Sequence, residues 1–85
     1  MGHNLDVQVL DSDENPITGI KVTIVIEGIW KGGELREFTD EDGHAEFETA
    51  SDYEDSRQLT IYVRDEEFGP YYISGGAYTV TLSDD

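Results

Sequence analysis

The chain has 85 residues, of which 20 are acidic and 5 basic, giving a formal charge of −15. So dense a negative field repels nucleic-acid phosphate and anionic lipid, which argues against direct binding to either. There is no cysteine, hence no disulfide, thiolate metal site or Cys nucleophile, and the length fits one domain over residues 1–85.

Leu5, Val7 and Val9 alternate with Asp6 and Gln8, which predicts a first strand over 4–10. Asp11-Ser12-Asp13-Glu14-Asn15-Pro16 is a turn cluster. Ile20, Val22, Ile24 and Ile26 then share one face of a second strand, opposite Lys21, Thr23 and Val25. It is the most apolar strand and is expected at a sheet centre. Gly28 to Glu34 breaks the pattern, with Gly32-Gly33 as a tip. A short third strand follows over 35–39.

Asp42-Gly43 supplies the positive φ of a tight hairpin turn. The fourth strand, 44–49, places Ala45, Phe47 and Thr49 on one face and His44, Glu46 and Glu48 on the other. Residues 50–57 are polar and acidic, hence a loop. The fifth strand, 58–64, turns Leu59, Ile61 and Val63 inward and Thr60, Tyr62 and Arg64 outward. Asp65-Glu66-Glu67 reads as a turn. A sixth strand over 70–74 opens on Pro70 and is expected at an edge. After Gly75-Gly76, a seventh strand over 77–82 puts Tyr78, Val80 and Leu82 on one face.

Seven short strands at a spacing of about ten residues predict an all-β, antiparallel Greek-key sandwich of the Ig-like or transthyretin-like kind. Its core should contain Ile24, Ile26, Phe47, Leu59, Ile61, Val63, Val80 and Leu82. No apolar spacing of helical period is present. The run Val22–Ile26 is too short to span a bilayer. Met1-Gly2 opens like a myristoylation motif, but Asp6 stands where that motif wants Ser or Thr, and no basic-then-apolar signal follows. No membrane partner is expected. A cysteine-free chain suits the cytosol or a microbial surface, and an extracellular or cell-surface setting is the one favoured.

Asp11 to Lys21, D-S-D-E-N-P-I-T-G-I-K, resembles the D-x-x-G-x-P-I-x-G-A-x-V opening of carboxypeptidase regulatory-like domains. Thr39 to Phe47, T-D-E-D-G-H-A-E-F, resembles their T-D-x-x-G-x-F/Y-x-F signature, and Ala77 to Leu82 is similar to their last strand. Transthyretin-like modules and the B-type repeats of bacterial collagen adhesins share the general pattern. The resemblance spans nearly the whole chain and implies a non-catalytic spacer, folding aid or binding unit. Two positions depart from it: Asn15 before the proline, where many members carry Gly, and Ile20 in place of Ala. The asparagines are Asn4 and Asn15, so the Lys–Asn crosslink of the adhesin repeats is not expected in the last strand. Nor does the chain offer the His-Arg-His set of a hydrolytic transthyretin-type site.

Little here builds an enzyme. His3 and His44 are the two histidines, and no G-x-S-x-G turn exists. No catalytic residue, cofactor or bound metal is expected. If successive turns alternate between the ends of the sandwich, Asp11, Asp13, Glu14, Asp40, Glu41, Asp42, Asp65, Glu66 and Glu67 gather at one pole, with Asp84 and Asp85. Such a pole attracts cations weakly and without selectivity, because the match to the calcium loop is incomplete in both turns. The opposite end collects Trp30, Lys31 and Tyr53, where Trp30 is either a partner anchor or a lid on the core. Tyr62 and Arg64 mark a second candidate surface. The reading is an accessory, binding or assembly module for a protein partner or another domain of a larger parent. The alternative is a small acidic inhibitor, a decoy for a basic, nucleic-acid-binding protein.

Overall fold

The computed structural model describes residues 3–28, 33–49 and 56–83. Within them the chain forms β1 (Asn4–Leu10), β2 (Lys21–Ile26), β3 (Gly33–Phe38), β4 (His44–Glu48), β5 (Gln58–Val63), β6 (Glu66–Tyr72) and β7 (Ala77–Thr81). A single 3-10 turn, Ile73–Gly75, separates the last two. One sheet has the order β4-β1-β7, the other β3-β2-β5-β6. β2 is interior to its sheet, as its apolar pattern requires.

Alternation decides which side chains the sheets enclose. Leu5, Val7 and Val9 of β1, Val22, Ile24 and Ile26 of β2, and Leu59, Ile61 and Val63 of β5 are all buried. They join Ala45, Phe47, Ile73, Tyr78, Val80 and Leu82 in one cluster drawn from both sheets. All eight residues expected in the core lie within it. Ile20 packs against it from the β1–β2 connection, and Leu35, Phe68 and Tyr71 from the edge strands.

The pairing is not wholly antiparallel. β7 runs parallel to β1, with Val7 opposite Tyr78 and Val9 opposite Val80. The reason is arithmetic: each connection reverses the chain, so the first and seventh strands point the same way.

The sixth strand also differs from the sequence expectation. It begins at Glu66, because Val63 pairs with Glu66 across the two-residue turn Arg64-Asp65. Pro70 does not open it. Ile61 faces Phe68 and Leu59 faces Tyr71, so three steps on β6 oppose two on β5. Gly69 (φ 114°) and Pro70 form this bulge, which hides the strand's alternation from a sequence reading. The strand is at an edge, where proline is tolerated.

Two polar groups pin the loops. The buried Thr39 hydroxyl donates to the Ile17 carbonyl (2.6 Å) and accepts from the Ile20 amide (3.0 Å). Backbone bonds from Gly19 to Thr39 and from Thr39 to Ile20 complete the clamp between the first and third connections. At the other end the Tyr78 hydroxyl donates to the Tyr72 carbonyl and accepts from the Gly76 amide. Its ring packs on Tyr71 at 5.1 Å, and burial pushes its phenol pKa up.

Candidate functional site

The acidic turns do share one end. Gly43 packs so tightly on Pro16 that a Cβ there would come within 2.9 Å of the Pro16 Cβ. The Leu82 amide bonds the Leu10 carbonyl, and the Ser83 hydroxyl bonds the Glu66 carboxylate (3.0 Å). The first, third and fifth connections therefore meet around the end of β7.

Their carboxylates are nevertheless not aimed at a common point. Asp11 Oδ1 accepts from the amides of Asp13 (2.8 Å) and Asn15 (2.9 Å). Asp40 Oδ1 repeats the motif with Asp42 (2.9 Å) and His44 (3.0 Å). Each Asp thus holds its own turn together, a local role that Asp favours. The Asn15 amide foremost lowers the Asp11 pKa, and the His44 amide foremost lowers that of Asp40. Among the described residues no group of three His, Asp or Glu side chains is arranged to hold a metal ion.

The left-handed residue of the first turn is Glu14 (φ 67°), not Asn15. Counted along D-x-x-G-x-P, Glu14 stands at the glycine of the pattern. The Asn15 assignment is corrected accordingly.

The two outer faces differ sharply. On the three-stranded sheet, β1 and β4 present Asn4, Asp6, Gln8, His44, Glu46 and Glu48. An open depression of about 860 Å³ is lined by Asp6, Glu46 and Glu48 of this sheet and by Glu37 from β3 of the other. His44 Nδ1 sits 2.8 Å from Asp6 Oδ2. That hydrogen bond is the main reason its pKa is raised.

The four-stranded sheet turns an aromatic face of mixed charge outward, with Glu34 opposite Val25 and Glu67 opposite Tyr62. The register sets Lys21 opposite Phe38, Thr23 between Arg36 and Tyr62, and Gln58 opposite Tyr72. Phe38, Tyr62 and Tyr72 are the exposed large hydrophobic side chains among the described residues, at 64%, 37% and 57% of full exposure. All three stand on this face. So do Lys21 and Arg36, with Arg64 at its rim. Arg36 pairs with Glu34 at 3.1 Å, whereas Lys21 and Arg64 have no carboxylate partner among the described residues. Ile20, Lys21, Thr23, Tyr62, Arg64 and Asp65 line a shallow groove of about 390 Å³. Arg64 has φ 56° at the first position of its two-residue hairpin, where Gly is usual.

Of the residues nominated from sequence, Tyr62 and Arg64 come together in this groove. Trp30, Lys31 and Tyr53 lie outside the described residues, as do Asp84 and Asp85. Sequence reasoning missed Phe38 and Tyr72. The signal for Phe38 was present: Leu35 and Phe38 are three apart and so fall on opposite faces of a strand. Tyr72 was masked by the bulge. No known family model, curated protein or solved structure matches the chain.

Proposed function

We propose that the chain is a non-catalytic accessory, binding or assembly module that meets a protein partner, or another domain of a larger parent, through the outer face of its four-stranded sheet. The observation that carries the reading is that Phe38, Tyr62 and Tyr72 are exposed on the one face that also bears Lys21 and Arg64, which have no carboxylate partner among the described residues. Exposed aromatic residues beside basic ones are the usual composition of binding hot spots. In a chain of charge −15, this face balances its acids, Glu34, Asp65 and Glu67, with Lys21, Arg36 and Arg64.

The two sheets around one core are compatible with the Ig-like or transthyretin-like Greek-key reading, and the proposed kinship with carboxypeptidase regulatory-like domains rests on the sequence motifs alone. The extracellular or cell-surface setting belongs to the same proposal. Among the described residues no helix is long and apolar enough to cross a membrane. The acidic end attracts cations weakly and non-specifically, since its best-placed carboxylates are engaged by their own turns.

The decoy reading draws support from the opposite sheet, where Asp6, Glu46 and Glu48 share a face. It requires a basic partner. Affinity capture from the native source separates the two. Tyr62→Asp and Phe38→Asp should abolish capture of the partner, and Glu46→Gln with Glu48→Gln should leave it unchanged. The reverse pattern selects the decoy.

A further inference from the structure

The groove of the four-stranded sheet has a charge pattern that defines its occupant. Lys21 is the first residue of β2, and Arg64 directly follows β5. Both stand at the same end of neighbouring antiparallel strands, where the register sets them side by side, and the Thr23–Tyr62 pair is the next along the same face. The chain has 20 acids, yet none of the described ones pairs with either base. Arg64 holds its place in a left-handed conformation that residues other than glycine rarely adopt. The tight hairpin between Val63 and Glu66 imposes that conformation and so fixes where the side chain starts.

We propose that this groove seats a single carboxylate of a protein partner, carried on an extended segment that is otherwise uncharged and aromatic or apolar. The carboxylate lies between the Lys21 ammonium and the Arg64 guanidinium, which can grip it with two parallel N–H donors. The adjoining apolar residues cover Tyr62 and, further along the sheet, Phe38 or Tyr72. The field of the whole chain sets the limit of one. Asp65 lines the groove, Glu67 stands opposite Tyr62, and the acidic turns lie at the same end of the sheet. A second anionic residue on the segment meets those acids, and a cationic one meets Lys21 and Arg64.

This inference rests on the reading of the outer sheet face as the binding surface, and its test separates the two. The ¹⁵N-labelled domain is titrated with acetyl-Tyr-Glu-Tyr-amide, its Gln counterpart and its Lys counterpart. Amide shifts should cluster at residues 20–23 and 62–65. The Glu peptide should bind at least about fivefold tighter than the Gln peptide, the scale of one modest charge-assisted contact, and the Lys peptide weakest. Lys21→Gln and Arg64→Gln should each remove the Glu preference while leaving the rest of the spectrum in place. Arg64→Lys should restore part of it. Equal binding of the three peptides on this face overturns the single-carboxylate proposal and leaves the binding face standing. Shifts clustered on β1 and β4 overturn both. A neutral oligosaccharide, maltohexaose, is the control: its binding here in preference to all three peptides overturns a protein segment as the occupant.

Discussion

His44 and Asp6 are joined diagonally across β1 and β4. The register sets His44 opposite Gln8 and Asp6 opposite Glu46, yet Nδ1 and Oδ2 lie 2.8 Å apart. The hydrogen bond to Asp6 raises the His44 pKa, burial opposes it, and the charges of Asp6, Asp40 and Asp42 add to the rise. A raised folded-state value means that the protonated imidazole favours the folded chain. The contribution is complete below the unfolded value near pH 6.5 and is lost as pH rises through the higher folded value. The urea midpoint should therefore fall between pH 6 and pH 8.5, and the fall should be smaller in His44→Gln. Both side chains are about one-third exposed, so the effect is modest. An identical pH dependence in the variant would show that the pair does not contribute.

Glu14 is the residue whose replacement should stabilise the fold. Its φ of 67° is natural for Gly and strained for Glu. Glu14→Gly should gain about 1 kcal/mol, less what the unfolded chain gains in freedom. In a domain of this size 1 kcal/mol moves Tm by about 4–8 °C. Asn15→Gly should bring no such gain. A lower melting temperature for Glu14→Gly would place the strain elsewhere.

Thr39 should be intolerant of a change that preserves its shape. Thr39→Val keeps the volume and leaves the Ile17 carbonyl and Ile20 amide without their hydroxyl partner. A buried polar group left unpaired costs about 1–3 kcal/mol. Thr39→Ser retains the hydroxyl and should lose less. A larger loss in Thr39→Ser than in Thr39→Val would assign the cost to the methyl group.

Salt should stabilise the chain. A charge of −15 repels itself, and raising ionic strength from 0.1 M to 1 M shortens the Debye length from about 10 Å to about 3 Å. Urea midpoints should rise across that range. Ca²⁺ and Mg²⁺ should do the same at lower ionic strength and with equal effect. A flat midpoint would demote self-repulsion; micromolar, calcium-selective binding would restore a dedicated site at the acidic end.

The core was legible because strand alternation is a strong code. The inward residues of β1, β2, β4, β5 and β7 follow from a period of two and from β-branched side chains that suit it. β6 was not, because the bulge at Gly69 and Pro70 inserts one residue and shifts the face of everything beyond it. The site was half legible for the same reason. Tyr62 and Arg64 follow from alternation in β5, but their neighbours Lys21, Phe38 and Tyr72 come from three other strands. Only pairing register brings these together, and register is a long-range property. The gathering of acidic turns followed from the reversal of direction at each connection. That Asp11 and Asp40 are turned into their own loops is a matter of local hydrogen bonding, which charge counting does not register.

The central claim is that partners meet the outer face of the four-stranded sheet. A photo-crosslinking residue placed at position 62, and separately at position 46 on the opposite sheet, tests it most directly in extract from the native source. The account predicts one defined adduct from position 62, lost when Lys21→Gln and Arg64→Gln are added, and none from position 46. An adduct from position 46 with none from position 62 would contradict it and make the acidic sheet the working surface.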